Sequence, residues 1–325
     1  MKKIKWGILG AGWIAEKFVA DFKLVNNGEV IAVASRSLEK AQTFAKKMNL
    51  QKAYGSYEEL VSNKEIDIIY VATTHNFHFK HTKLCFEHGK HVLCEKPVTV
   101  NTEEFQQLVT LAKSKNLFYM EAMWTPFLPA IKKAQEWVEQ GKIGEVEVIQ
   151  ANFGFPASPE FKVRLFDINL AGGGLLDVGI YPLTMIELFT KSEIQTLNCI
   201  ANFANTGVDE TLAIQLEYTN GTKGQMVCSI KNRLKNDTFI CGSKGFIQIS
   251  NFWMAKKAIL TVGDTEEIFI DETETMGYNC EAVAVNQDIL NGKTENQIMP
   301  LSRSLKMMKL MDTIREKIGL KYPFE

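Results

Sequence analysis

Four groups of residues in this chain have the types and spacing to do chemistry. The first is Gly10, Gly12 and Ala15, in the pattern G-x-G-x-x-A. Gly10 can turn the chain tightly at positive φ, and Gly12 lets backbone approach a pyrophosphate, whose charge suits the N–H groups at a helix N-terminus. Ala15 is small enough for that helix to pack on a strand. The second is Arg36 between Ser35 and Ser37. A dinucleotide site commonly has an acidic residue here for the adenosine ribose; an arginine between two hydroxyls suits a 2′-phosphate, and a solvated loop arginine is the alternative. The third is Glu95-Lys96-Pro97, in which Pro97 biases Lys96 to extended backbone and projects its amine. The fourth is Asp177 and Tyr181, following Gly172-Gly173-Gly174 and spaced to share one face of a helix. An N-terminal Asp favouring the helix dipole, with a core Tyr, fits that pair equally well.

The surrounding elements have to position these groups. Ile4, Trp6, Ile8 and Leu9 can bury on both faces of a parallel strand, and Ile14, Phe18, Val19 and Phe22 recur at helical spacing. The glycines therefore fall in a strand, turn and helix, the context that gives the pattern its meaning. Further strands are predicted at Val30 to Ala34, Ile66 to Ala72, His91 to Cys94 and Phe118 to Met123. They alternate with helices at Leu38 to Met48, with Ser37 as N-cap, and at Phe77 to Glu87, Thr102 to Ser114 and Phe127 to Glu139. Ligands of such open sheets bind outside the carboxyl ends of the strands. The candidate cofactor contacts are thus Gly10, Gly12, Trp13 and Ile14 at the first turn, Ser35 and Arg36 at the second, Thr73, Asn76 and His78 at the third, and Glu95 and Lys96 at the fourth.

From Glu145 onward the period changes to two, in Val146, Val148 and Gln150, in Leu212, Ile214, Leu216 and Tyr218, and in Met226, Cys228 and Ile230. This predicts an antiparallel sheet, with a hairpin at Asn220-Gly221 and turns at Gly242 to Gly245 and Gly263-Asp264. Helices at Asn279 to Leu290 and Ser302 to Ile318 complete the chain. The expected division is a dinucleotide-binding domain over 1–123 and a substrate-binding and dimerisation domain over 124–325, the last helix packing back on the first domain.

Composition narrows the function. With 325 residues, two domains are the better expectation. The chain is 46% hydrophobic and 23% charged with a formal charge of -1, which points to small-molecule chemistry rather than to nucleic acid or membrane surfaces. Its six cysteines are scattered without a C-x-x-C pair and read as reduced, cytosolic thiols. Met1, Lys2 and Lys3 lead directly into a strand, and no apolar run approaches a membrane span, so a soluble cytoplasmic protein is expected. His75, His78 and His81 step along a helix start with no carboxylate or thiol among them, so no metal is expected and a polar helix face is the plainer reading. Aromatic residues that could wall a substrate are Trp124, Phe153, Phe155 and Trp253, though each also suits a core.

Four segments, in order over nearly the whole chain, resemble the Gfo/Idh/MocA oxidoreductases: GILGAGWIA at Gly7 to Ala15, GKHVLCEKP at Gly89 to Pro97, GGGLLDVGIYP at Gly172 to Pro182, and KLMDTIREKIGLKYP at Lys309 to Pro323. The chain looks most similar to the dihydrodiol dehydrogenase and sugar dehydrogenase branch, in which a tyrosine follows D-x-G-x. The resemblance implies an α/β protein with a Rossmann-type parallel-sheet domain and a C-terminal α+β domain whose open, mainly antiparallel sheet commonly forms a dimer interface. It places Lys96 and Tyr181 on the family's catalytic lysine and tyrosine, and Asp177 on its supporting carboxylate. Since Lys96 and Tyr181 belong to different domains, they can meet only across a cleft. Tyr181 is then the expected proton donor or acceptor with Lys96 tuning it, and Asp177 sits on the Lys96 ammonium or a substrate hydroxyl. The implied reaction is hydride transfer between NADP(H), with NAD(H) possible, and a secondary alcohol or carbonyl of a sugar, polyol or trans-dihydrodiol. The rival is a catalytically silent NAD(P)-binding sensor of the same fold. Two positions depart from the family: His75 stands where members often have proline, and Pro126 where the nearest branch usually has arginine.

Overall fold

The computed structural model describes residues 3–325, the Pro159 side chain excepted; Met1 and Lys2, part of the expected polar lead into the first strand, lie outside the described residues. In chain order the elements are β1 (Ile4–Leu9), α1 (Trp13–Asp21), β2 (Gly28–Ala34), α2 (Leu38–Met48), β3 (Lys52–Tyr54), α3 (Tyr57–Ser62), β4 (Ile68–Val71), α4 (His78–Glu87), β5 (His91–Glu95), α5 (Thr102–Ser114) and β6 (Tyr119–Ala122). There follow α6 (Pro129–Glu139), β7 (Val146–Gly154), α7 (Pro159–Leu165), α8 (Ile180–Phe189), β8 (Ile194–Phe203), β9 (Asp209–Tyr218), β10 (Lys223–Ser229), β11 (Asp237–Gly242), β12 (Phe246–Ser250), β13 (Lys257–Val262), β14 (Thr265–Ile270), α9 (Tyr278–Leu290) and α10 (Leu301–Ile318). They form two compact units. One runs through Trp124 and takes up Glu274–Met308; the other comprises Thr125–Thr273 and Lys309–Glu325.

The first unit is a six-stranded parallel sheet in the order β3-β2-β1-β4-β5-β6, the doubly wound order of a Rossmann fold. Its central strands are buried on both faces, which is why they read as unbroken apolar runs. Between them the order reverses at β1 and β4, and the ends of these strands pair in register as Leu9 and Val71. Local signals set the helix starts: the side chains of Ser37, Ser56 and Asn101 each accept an N–H of the first turn. β3 and α3 were not expected, because a half-buried three-residue strand and a six-residue helix are too short to show a period. Trp6, Phe18 of α1 and Phe22 pack at centroid distances near 5.5 Å, Trp6 edge-on to Phe22 and the other two pairs tilted. The Trp6 indole N–H donates to Asn286 Oδ1 of α9 at 2.8 Å. Asp21 at the end of α1 accepts the N–H groups of Met276, Gly277 and Tyr278, and so caps α9 from another element.

In the second unit an eight-stranded sheet runs β14-β13-β12-β11-β7-β10-β9-β8. Its pairs are antiparallel except β7 with β10. A hairpin does form at Asn220-Gly221, but with a three-residue loop rather than the two-residue one its dipeptide suggests: Tyr218 pairs with Thr222, the Gly221 N–H donates to Tyr218 O, and only Gly221, at φ 88, is left-handed. One face of the sheet buries Ile149, Leu212, Ile214, Met226, Ile240 and Ile247. The other carries Ala213, Val227 and Phe239, with Ile200 77% and Ile268 50% exposed. Among the described residues no helix is long and apolar enough to cross a membrane.

Candidate active site

In the first unit the glycine turn is built as its residues require. Gly10 has φ 109, and a Cβ there would lie 2.6 Å from the Ala72 carbonyl oxygen. Gly12 is the N-cap of α1, and a Cβ there would meet no protein atom within 4 Å, so a ligand can reach the backbone. Trp13 and Ile14 open the helix whose N–H groups point to that end. This turn fits a bound pyrophosphate. Arg36 is exposed just beyond β2, flanked by the buried Ser35 and by Ser37, which is spent as the α2 cap. Its charge reaches Tyr57 of α3 and His81 of α4, which with Phe77 make an aromatic cluster.

Beyond β4, Thr73 contacts His81 Nδ1 at 3.0 Å through its hydroxyl, and Thr74 donates to Asn76 Oδ1 at 2.8 Å. Burial pushes His81 down to about 4, so this ring is neutral near pH 7. His78, expected to touch the cofactor, is instead wholly buried. Its Nδ1 lies 2.7 Å from the Pro97 carbonyl and its Nε2 3.0 Å from that of Thr73. These two contacts tie the rim of β4 to the rim of β5. Among the described residues no three His, Cys, Asp or Glu side chains group as a metal site.

Lys96 stands at the end of β5, half-buried, and its bond to Pro97 is cis. Three carboxyls stand near this corner: Glu95, a candidate cofactor contact, and Glu121 and Glu281, which sequence reasoning missed. Glu95 accepts the Tyr70 hydroxyl and the Lys96 N–H, the latter at 3.2 Å. Glu121 of β6 accepts the Val98 N–H at 3.0 Å and the Ser304 hydroxyl at 2.7 Å, fastening the segment just past Lys96. Glu281 of α9 is fully buried, and neither of its oxygens has a hydrogen-bond partner. Burial pushes the Glu281 carboxyl well above the usual range, and the nearby Glu95 charge pushes it the same way. The folded state thus keeps a proton that the unfolded chain releases, and this contribution to stability is lost as pH rises above the ordinary carboxylate range. Glu281→Gln should remove that slope: melting temperatures should favour the variant over wild type more at pH 8 than at pH 5. Parallel curves would show that Glu281 does not hold its proton. Trp124, offered as a substrate wall, is buried and stacks on Tyr278 with ring centroids 4.4 Å apart.

In the second unit the segment after the three glycines is not a plain α-helix. Leu175–Gly179 forms a wide π turn, closed by the Ile180 N–H donating to Leu175 O, and only then does α8 begin. Pro182 accounts for it, having no N–H to give the Val178 carbonyl and a ring that crowds it. Asp177 therefore lies in the wide turn and Tyr181 in the first turn of α8. Asp177 accepts from Arg164 of α7 at 2.9 Å, a partner not foreseen, since nothing in the spacing links the two. A nearly buried carboxylate needs such a donor. Tyr181 is 8% exposed and sits edge-on to Phe153 at 5.4 Å. Phe153 stacks on Trp253 at 4.5 Å and packs on Phe155 at 5.9 Å, so this aromatic set is joined to Tyr181 through Phe153. Pro126 is buried, and its neighbour Thr125 donates to the Trp253 carbonyl at 3.2 Å.

A dinucleotide-binding parallel sheet joined to an open mixed sheet carrying a buried tyrosine is the architecture of a two-domain NAD(P)-binding oxidoreductase. Family descriptions match both parts: residues 4–123 match the oxidoreductase family with NAD-binding Rossmann fold, and residues 131–248 the GFO/IDH/MocA C-terminal domain. Trans-1,2-dihydrobenzene-1,2-diol dehydrogenase of Mus musculus is 36% identical over 98% of each chain, and that of Xenopus laevis 37% over 98% of this chain and 99% of its own. The chain belongs to the Gfo/Idh/MocA oxidoreductase family. The fold is shared with a 3-ketoreductase from Actinomadura kijaniata in complex with NADP and TDP-benzene, at TM-score 0.88 and 23% identity over 97% of this chain and 98% of that one. It is shared too with an aldose-aldose oxidoreductase from Caulobacter crescentus complexed with glycerol, at TM-score 0.88 and 21% identity over 97% of each chain.

Proposed function

We propose that the protein is an NADP(H)-dependent dehydrogenase or reductase acting on a secondary alcohol or carbonyl of a sugar, polyol or trans-dihydrodiol. The observation that carries this reading is Tyr181, set against Phe153, which itself packs on Phe155 and Trp253, in a chain whose curated relatives are dihydrodiol dehydrogenases. An aromatic wall suits the flat apolar face of a dihydrodiol. Gly10, Gly12, Trp13 and Ile14 would hold the pyrophosphate, Ser35 and Arg36 the adenosine ribose with its 2′-phosphate, and Thr73, Asn76, Glu95 and Lys96 the remainder. When bound, the nicotinamide supplies or accepts the hydride.

Tyr181 exchanges the substrate hydroxyl proton. Free tyrosine titrates near 10, so alcohol oxidation at neutral pH needs its phenolate stabilised, and the Lys96 ammonium supplies that interaction. Asp177 holds geometry through Arg164 and reaches a substrate hydroxyl; as an anion it would raise the phenol and so is not itself the base. A screen of pentoses, hexoses, inositols and trans-dihydrodiols with both cofactors tests the reading. One substrate class with a marked kcat/KM preference is expected, and tight cofactor binding without turnover of any of them would overturn it.

The same reading includes a homodimer through the exposed sheet face. Ile268, Ile259, Gln248 and Phe239 pair in one row across β14 to β11, and Ala213, Val227 and Ile200 continue the apolar surface on β9, β10 and β8. A second copy of that face would cover it. Light scattering at micromolar concentration should give twice the chain mass, and Phe239→Lys should return it to monomer; monomer alone in the wild type would remove the proposal.

A further inference from the structure

The buried carboxyl of Asp209 has no part in the chemistry described so far, yet it lies under the segment that carries Asp177 and Tyr181. It opens β9, is 0% exposed, and its Oδ2 accepts the Leu175 N–H at 2.6 Å. The two glycines before Leu175 are shaped around it. A Cβ on Gly173, at φ 119, would collide with Oδ1, and one on Gly174 would come within 3.2 Å of Oδ2. Oδ1 itself is buried without a hydrogen-bond partner. The glycine just before those two is held as well: the wholly buried Tyr322 donates its hydroxyl to Gly172 O at 2.8 Å, with Arg315 of α10 over its ring and paired to Glu325. The hold is transmitted forward: Leu175, fixed by Asp209 through its N–H, receives through its carbonyl the N–H of Ile180, the residue before Tyr181.

We propose that Asp209 is a positioning residue for proton transfer at Tyr181, fixing the start of the wide turn and through it the aim of the phenol. The proposal rests on the reading of Tyr181 as the proton-transferring group. It has a pH signature. Burial pushes Asp209 up to about 7, opposed by hydrogen bonds from Leu175 and Gly174 and by the Arg315 charge. The other titratable groups facing it are the thiol of Cys228 on β10 and the phenol of Tyr322, both raised by burial and by the Asp209 charge itself. A carboxylate accepts hydrogen bonds more strongly than a carboxylic acid, so the hold tightens as pH rises through neutrality. A positioning group is wanted in one protonation state whichever way the reaction runs. Tyr181 is not, since it must be ionised to take a proton and protonated to give one.

The test compares wild type, Asp209→Asn, Tyr322→Phe and Tyr181→Phe. Amide hydrogen exchange over Leu175 to Tyr181, corrected for intrinsic pH dependence, should show protection rising roughly tenfold through neutral pH in the wild type and flat in Asp209→Asn. With trans-1,2-dihydrobenzene-1,2-diol and NADP⁺, and with diacetyl and NADPH, wild-type kcat should carry one ionisation near 7 of the same sense in both directions. Asp209→Asn should lose it, with kcat lower by roughly tenfold and cofactor affinity unchanged. Tyr322→Phe, which keeps the ring stack and guards against misfolding of the first variant, should lower kcat while keeping that ionisation. Identical exchange and pH profiles in wild type and Asp209→Asn would overturn the proposal. Wild-type kcat in Tyr181→Phe would instead reject the reading beneath it, while the exchange result still judges what Asp209 holds.

Discussion

Replacing Tyr181 with phenylalanine is expected to lower kcat by roughly 10² to 10⁴ fold while leaving NADP(H) affinity nearly unchanged. The substitution removes one oxygen. The ring keeps its edge contact with Phe153 and its place in the first turn of α8, so packing changes little and the loss falls on proton transfer. Cofactor affinity is spared because the residues proposed to hold the dinucleotide all lie in the first unit. Steady-state kinetics beside a fluorescence titration with NADPH separate the two quantities. A variant that folds and turns over at the wild-type rate would show that Tyr181 is a core residue and nothing more.

The second large effect concerns cofactor choice. Arg36→Ala is expected to weaken NADP(H) binding by roughly 1.5 to 3 kcal/mol, about ten- to a hundredfold, and to leave NAD(H) almost untouched, because only the 2′-phosphate offers a charge-assisted partner. Arg36 is exposed at the end of β2, free of helix-capping duty because Ser37 does that work, and its charge reaches Tyr57 and His81. His81 is neutral there, so it adds no positive charge to blur the comparison. Equal losses for both cofactors would mean that Arg36 shapes the adenosine end without reading the phosphate.

How much of this was legible beforehand depended on how local each signal was. The glycine turn and the cap at Ser37 are written within a few residues, and they appear as read. Tyr181 and its aromatic neighbours could be named, but the π turn beneath them could not be seen until Pro182 was read for the N–H it lacks. His78 misled because a helix-start histidine looks available, whereas its ring sits between the carbonyls of Thr73, five residues before it, and Pro97, nineteen after it. Arg164, Glu121 and Asp209 act through tertiary contacts across 13, 23 and 34 residues. No periodicity announces such partners. The return of α9 to the first unit was hidden for the same reason: it meets α1 through Asp21 and β1 through Asn286, which are polar residues that a hydrophobic pattern passes over.

That return has a consequence for how the protein comes into being. β1 contains Trp6, whose indole partner Asn286 is made 280 residues later, and the helix after it ends in Asp21, whose partners begin at Thr275. The nucleotide-binding unit is therefore interrupted in sequence and is finished only after every strand of the other sheet has been synthesised. A nascent chain stopped at Thr273 would carry all six strands of the parallel sheet and still leave a buried indole N–H and an aspartate without their mates. Nucleotide capture during synthesis should accordingly switch on late, between release of Thr273 and release of Met308, rather than when β6 emerges.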